Sequence, residues 1–500
     1  MSDGEVLDVA IVGMGPSGLY TAWRLSKADH DQMIFDKPAS KLRVALFDTM
    51  PEDRVGGRLC TQPLPGYPFL TELGGMRFRS TQRLIKGLVG ALGLTDQIRP
   101  FNFDQHFYFL RGKKLLEDQF KGGATAGSPY NLDGKEQGRL PHELIEAAIH
   151  DTLKSLKFGP LFRNSKEVHH WGINGDSLIK KLKSAEGLHS LTAREWALIK
   201  RFGEYRGADQ LSDVGFWDLL QFQLSSEGWH LAHDGLGYES IMGNWNASVA
   251  LPWFLADFAV ADAFTLENGM KSIPDYLYRA IKSTTDYSLY HNWDLTGIDL
   301  HPGSKESSER LMRLQFNIDD KSQSVLARAV VLALPKGALI RLNYDKELIA
   351  GVYGEELIAK PGSPDKQLDK RAWFFDLLNS VDGRPLFKLF LGYESPWWAE
   401  KRTSPVTGKV NTDLPLRQVY YYGQDQWNKQ RIAELGISGN HHSHNNYSML
   451  MASYSDSHYI EFWSELAKPQ NWSYFGREGG RNKLSSQDKR VLDNSERRSA

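Results

Sequence analysis

The 500-residue chain has one cysteine, Cys60. One thiol allows no internal disulfide and no thiolate-rich metal site, and its place after a glycine-rich motif predicts a buried structural thiol. An excess of one charge sign is also missing: 60 Lys and Arg stand against 61 Asp and Glu, for a net charge of −1. Nucleic acid and an anionic membrane surface therefore have no electrostatic claim as main partners. No apolar run reaches the length that spans a bilayer, and the N-terminus enters an apolar stretch without a basic-then-apolar leader. The expectation is a soluble, cytoplasmic protein. The histidines show no ligand spacing; His441, His442 and His444 read as a solvated polar loop, and no metal is expected.

What is present starts at Leu7 to Arg24, LDVAIVGMGPSGLYTAWR. An apolar run stops on Gly13 and resumes as an amphipathic pattern after Gly18, which predicts a buried parallel strand, a glycine turn and a helix. Gly13 permits the tight turn, Gly15 lets backbone approach a pyrophosphate, and Gly18 lets the helix pack near the strand, with Pro16 and Ser17 opening that helix. Lys41 to Asp48, KLRVALFD, predicts a second strand ending on the acid type that holds ribose hydroxyls. The spacing from Gly18 to Asp48 exceeds the usual 20 or so residues, an excess assigned to a polar loop at Asp29 to Ser40. RVGGR at Arg54 to Arg58 and ELGGMRF at Glu72 to Phe78 follow, putting glycine pairs and fixed positive charge beside the same pyrophosphate.

The length predicts two domains, and the order of the segments predicts that they interleave. Thr81 to Gly93 is helical in pattern, and Phe103 to Leu115 reads as a hairpin turning at Arg111 and Gly112. Gln119 to Leu140 predicts an exposed loop, Pro141 to about Phe222 a helical block, and His233 to Phe254 a turn-rich stretch lining a pocket or forming an aromatic cluster. After a glycine turn and a helix at Leu266 to Arg279, strands return at Trp293 to Leu300, Arg313 to Ile318 and Ala327 to Leu334. The last, all apolar and ending on Pro335, reads as a return to the parallel sheet. Pro385 to Tyr393 and Leu416 to Tyr422 are further strands, and the polar tail from Asn471 is expected to be poorly ordered if nothing follows it. The expected fold class is α/β: a doubly wound, Rossmann-like dinucleotide-binding domain in separated segments (1–100, 265–335 and 450–500), with a mixed α+β substrate domain (101–264 and 336–449) that includes the helical insert at about 141–222.

VAIVGMGPSGL, RVGGR, ELGGMRF, ENGMKSIPDYL, PLFKLFLGYESPWW and TDLPLRQVYYYG, in that order, resemble the flavin-dependent amine oxidases, and within them the L-amino acid oxidases. The glycine pattern alone indicates a dinucleotide; the resemblance implies FAD, held non-covalently. It implies that Gly13, Gly15, Pro16, Ser17 and Gly18 hold the pyrophosphate and Asp48 the adenosine ribose. Gly56, Gly57 and Arg58 would contact the pyrophosphate from the second motif, and Gly74, Gly75 and Met76 would run beneath the flavin. Arg77 would clamp the substrate carboxylate, a role its planar fork suits. Lys388, costly to bury among Leu386, Phe387, Leu389 and Phe390, would sit near flavin N5 and assist oxygen chemistry or imine hydrolysis. Tyr420 or Tyr421 would give a hydroxyl to the carboxylate; adjacent strand residues face opposite sides, so one serves, with the preference on Tyr421.

The implied reaction moves hydride from the Cα of an L-amino acid to the flavin, giving a 2-oxo acid, ammonia and hydrogen peroxide. The partners are then the amino acid and molecular oxygen; a homo-oligomer is compatible with this. The family's closing C-terminal FAD segment has no match after Tyr454, so the chain is expected to be part of a longer enzyme and, alone, to hold FAD weakly. Alternatives are an amino acid 2-monooxygenase, which decarboxylates to an amide, an amine or polyamine oxidase, and a flavin-binding protein without turnover. The amino acid itself is not legible, although Tyr238, Glu239 and Trp245 stand where a pocket would be lined.

Overall fold

A computed structural model describes residues 5–28, 33–35, 37–38, 41–101, 104–121, 128–163, 168, 170–206, 209–237, 244–257, 262–301, 311–344, 376–381, 383–399, 407–422, 447–457 and 459–467. Val6–Val12 and Val44–Asp48 are short apolar strands buried on both faces, the pattern of a sheet covered on two sides. They pair in parallel, Val9 beside Val44, and Lys321–Leu332 joins the other edge of Val6–Val12 in parallel. The predicted return to the parallel sheet is therefore observed. The full order across this seven-stranded sheet is Tyr287–His291, Val44–Asp48, Val6–Val12, Lys321–Leu332, Met312–Ile318, Asp294–Leu300 and Asn343–Tyr344.

Alternation decides which side chains meet which cover. Val9, Ile11, Val44 and Leu46 pack with Leu19 and Ala22 of the helix Pro16–Ser26 and with Ile273, Leu277 and Ile281 of the helix Ser272–Lys282. On the reverse face Ala10, Val12, Ala45 and Phe47 meet Leu295, Leu314 and Phe316. Phe47 stacks on Phe316 at 4.6 Å and on Tyr290 at 5.1 Å. Phe47→Leu is expected to cost about 1–2 kcal/mol through lost packing, read as a lower midpoint in urea unfolding.

A second, six-stranded sheet runs in the order Leu386–Tyr393, Ser448–Asp456, Gln418–Tyr422, Gly408–Thr412, Gln105–Leu110 and Lys113–Leu115. The hairpin expected at Phe103 to Leu115 is present, with both turn residues left-handed, Arg111 at φ 47° and Gly112 at φ 74°. Ser448–Asp456, placed by sequence in the nucleotide unit from residue 450, belongs instead to this second sheet, paired on one side with Leu386–Tyr393 and on the other with Gln418–Tyr422. Asn343–Tyr344 goes the other way and extends the first sheet beyond residue 335.

The helical block opens with Pro141–Ser155, where Pro141 occupies the first turn and the Glu143 carboxylate accepts the Leu140 N–H at 2.7 Å. Helices continue past Phe222 as Ser226–Leu236 and Ala247–Asp257; the last turn of the first and most of the second fall in His233 to Phe254, the stretch expected to be turn-rich. Two glycines and Pro252 hide them from a propensity reading. The glycines serve close packing: a Cβ on Gly228 would lie 2.3 Å from the Glu136 carboxylate, and one on Gly235 would lie 2.3 Å from the Pro141 ring. Gln119 to Leu140 is less exposed than expected, since Phe120, Tyr130, Leu132 and Leu140 are buried in the core of the helical block. Cys60 is half-buried rather than fully enclosed. Among the described residues no helix is long and apolar enough to cross a membrane, and no group of His, Cys, Asp and Glu could hold a metal ion. Tyr238, Glu239, the three loop histidines and the tail from Asn471 lie outside the described residues.

Candidate functional site

The glycine turn forms as its sequence requires. Gly13 sits at φ 104°, where a side chain is strained, and a Cβ there would lie 2.5 Å from the Ala333 carbonyl oxygen. A Cβ on Gly18 would lie 1.9 Å from the Gly13 carbonyl oxygen, so the helix is seated against the turn. Gly15 differs: a Cβ would meet nothing within 4 Å, so its Cα borders open space. Gly15 is the N-cap, no side chain caps the helix, and Pro16 fills the first turn, where a missing N–H costs nothing. Ser17 is exposed beside it.

Two distant segments close on that space. A Cβ on Gly57 would lie 3.3 Å from Gly15 Cα, which brings the second glycine pair to face the first; Gly56 and Gly57 are left-handed at φ 115° and 56°. Asp48, at the end of its strand, accepts the Met14 N–H at 2.5 Å and the Met50 N–H at 2.8 Å. Each carboxylate oxygen retains acceptor capacity for a hydroxyl. An open glycine lip, an uncapped helix start and a carboxylate fixed at the turn fit a dinucleotide, whose diphosphate Gly15 and Gly57 would take and whose ribose Asp48 would hold. The Arg58 side chain is exposed, and its carbonyl accepts the Gly75 N–H at 2.9 Å, which ties the second motif to the third. Gly74 has no room for a side chain, since a Cβ would sit 1.8 Å from that same carbonyl oxygen.

Beyond Gly75 the backbone buries Met76 and turns Arg77 toward the second sheet. Arg77 Nη1 lies 3.5 Å from the Tyr420 hydroxyl, and its guanidinium stands 5.6 Å from the centre of the Phe101 ring. Tyr420, not the favoured Tyr421, therefore comes to Arg77. The strand alternation turns Tyr421 to the other face, where its ring lies 5.4 Å from Trp398.

Lys388 reaches the same loop from the other side. Its Nζ donates to the Glu72 carbonyl at 2.9 Å and the Gly74 carbonyl at 2.6 Å. Burial, aided by the charge of Arg77, lowers this ammonium to about 8, while the Glu72 carboxylate opposes the shift. Burial pushes the Glu72 carboxyl up to about 7, although it accepts from Met270 N–H and the Thr61 hydroxyl. The apolar surroundings expected of Lys388 are only partly present: Leu386 is 52% exposed on this edge strand, and the register shifts between Leu389 and Phe390.

Sequence reading passed over Glu72, quoted in a motif without a role, and Lys409. Lys409 is the strand partner of Tyr420, and burial, with the charges of Arg77 and Arg79, lowers its ammonium to about 8. Lys409 thus stands in the field of Arg77 and Arg79, which the carboxylates of Glu117 and Asp104 oppose. A lysine followed by Val410 and Asn411 on a strand gives no hint of that field, because Arg77 and Arg79 come from far along the chain.

The family model for flavin containing amine oxidoreductases matches residues 16–466. The chain is 26% identical to Aplysianin-A of Aplysia kurodai over 96% of its own length and 73% of that protein's. It is 27% identical to Achacin of Lissachatina fulica, with 83% of this chain and 66% of that one covered. It is 23% identical to an L-amino-acid oxidase of Mus musculus, with 92% of this chain and 54% of that one covered. Among solved structures, wild-type putrescine oxidase bound to putrescine aligns with a TM-score of 0.52 at 17% identity, covering 93% of this chain and 79% of that one. A redesigned putrescine oxidase aligns at 0.54 and 18% identity, covering 93% of this chain and 78% of the other. At these identities the structures support the fold.

Proposed function

The chain belongs to the flavin-containing amine oxidoreductases, and from that premise we propose that it oxidises an L-amino acid to a 2-oxo acid, ammonia and hydrogen peroxide, with FAD held non-covalently. The observation that carries the reading is the Arg77 guanidinium at 3.5 Å from the Tyr420 hydroxyl, directly after the glycine loop that Lys388 holds. A substrate carboxylate would offer this guanidinium a matching charge and geometry.

Gly13, Gly15, Gly18, Gly57 and Asp48 would hold the dinucleotide, and Gly74 and Gly75 would carry the ring system. A bound flavin supplies the chemistry these side chains lack, acceptance of the hydride from Cα and return of the electrons to oxygen as hydrogen peroxide. Arg77 pairs both oxygens of the substrate carboxylate, and that grip fixes the orientation of Cα. Lys409 and Arg79 add attraction without needing contact. Lys388 is suited to handling a proton. In its neutral form it has two N–H groups, and two carbonyls occupy them. One lone pair is left to accept from a water, which could hydrolyse the imino acid.

A pH profile tests that last role. With an acidity near 8, Lys388 gains its lone pair as pH rises through that value, so turnover should climb on an alkaline limb there. Lys388→Met should remove the limb. Glu72→Gln should move it to lower pH, because the carboxylate now favours the ammonium. A limb unchanged in Lys388→Met would contradict the role. Product analysis tests the whole reading: peroxide with a 2-oxo acid supports the oxidase, an amide with carbon dioxide indicates the monooxygenase, and flavin binding without product indicates a protein without turnover.

A further inference from the structure

We propose that Gln418 is a positioning residue that holds the Tyr420 hydroxyl at Arg77 from the end of the helix Ser226–Leu236; this rests on the reading that Arg77 grips an acid group. The hydrogen bonds form one directed chain. Arg77 Nη1 approaches the Tyr420 oxygen at 3.5 Å, the Tyr420 hydroxyl donates to Gln418 Oε1 at 2.9 Å, and Gln418 Nε2 donates to the Leu236 carbonyl at 3.5 Å. A carbonyl only accepts, so Leu236 draws the amide nitrogen and leaves the amide oxygen for the tyrosine. The phenol spends its one proton on Gln418 and presents lone pairs to the guanidinium. Tyr420 thus steadies Arg77 as an acceptor instead of donating to the substrate. Every donor points toward the C-terminal end of an 11-residue helix, where the dipole is negative, and such aligned chains strengthen one another.

The anchorage is built tightly. Gln418 is 1% exposed and Tyr420 2%. Asn411 Nδ2 donates to the Gly235 carbonyl at 2.7 Å and to that of Leu236 at 3.2 Å, so the helix end is held twice. Gly237, left-handed at φ 77°, lets both amides approach, since a Cβ there would lie 2.7 Å from Gln418 Cγ and 3.1 Å from Asn411 Cγ. Arg417, before Gln418, is fully buried at φ 54°, a strained conformation for a non-glycine residue, and donates to the Thr412 carbonyl at 2.9 Å and the His233 carbonyl at 3.2 Å. The strand register then shifts between Gln418 and Tyr420, which re-aims the tyrosine. The helical block is in this way coupled to the acid clamp.

The test measures benzoate binding to flavin-loaded protein by calorimetry, benzoate being a carboxylate without an amine. Gln418→Met and Tyr420→Phe should each weaken benzoate about 5- to 10-fold, and the double variant should be no weaker than the worse single. KM for substrate should rise with them, with kcat within about twofold. Asn411→Leu, which cuts only the parallel tie, should lower the melting temperature but leave benzoate affinity within about twofold. Additive losses, or wild-type affinity in Gln418→Met while Arg77→Met has lost binding, would overturn the inference alone. Undiminished binding in Arg77→Met would overturn the acid clamp and this inference with it. Should Gln418→Met fail to fold, wild-type affinity in Tyr420→Phe overturns the proposal by itself.

Discussion

Arg77→Met is expected to lower kcat/KM for an L-amino acid by on the order of 100-fold or more, most of it as a higher KM. Truncating one partner of a hydrogen-bonded charge pair costs about 2–5 kcal/mol, and 1.4 kcal/mol is tenfold in affinity. Arg77 is half-buried beside Phe101 and Tyr420, so water would replace its grip on an acid group only in part. Methionine fills similar volume without the charge, and the glycine loop should keep its shape. Lys409 and Arg79 would preserve some attraction, which sets a floor under the loss. The corresponding decarboxylated amine should be a poor substrate for the unaltered protein and should lose far less on the substitution. Steady-state kinetics on the pair of substrates reads the difference, and equal losses for both would mean that the arginine holds the fold or the cofactor instead.

Gly15→Val should abolish flavin binding while leaving the folded chain nearly intact. The backbone at Gly15 has φ −75°, a conformation any residue adopts, and its Cβ direction opens on empty space. Folding therefore loses little, within about 0.5 kcal/mol by the usual scale of unpacked substitutions. The same space is where a diphosphate would lie, and two methyl groups there exclude it. Flavin absorbance after reconstitution should disappear, while circular dichroism and the melting temperature of the cofactor-free protein stay near wild type. Gly18→Ala gives the contrast: its Cβ would fall 1.9 Å from a backbone oxygen, so it should lower the stability of the cofactor-free protein as well. If Gly15→Val still bound flavin, the dinucleotide would have to lie elsewhere.

These two positions also show how far the sequence could be read. The glycine turn is local: Gly13, Gly15 and Gly18 lie within six consecutive residues at the strand-to-helix junction, and the apolar strand before them fixes where that junction falls. The same holds for Arg111 and Gly112 in the hairpin. Legibility fails where the answer depends on a distant partner. Tyr420 and Tyr421 are equivalent in sequence, and the choice between them is made by the register of the strand against Gly408–Thr412 and Ser448–Asp456, together with the shift after Gln418. Ser448–Asp456 reads as any strand, and only its pairing on both sides assigns it to the second sheet. Lys409 and Gln418 acquire their setting from Arg77 and Leu236, each far away along the chain. The helices Ser226–Leu236 and Ala247–Asp257 are obscured by Gly228 and Gly235, which serve close packing, and by Pro252 inside the second helix.

The most direct measurement is a crystal structure of the flavin-loaded protein with benzoate bound. The account predicts both carboxylate oxygens within hydrogen-bond distance of the Arg77 guanidinium, on the open side of the flavin, with the Tyr420 hydroxyl still pointed at Gln418. A carboxylate bound away from Arg77, or a guanidinium turned from that face of the flavin, would contradict it.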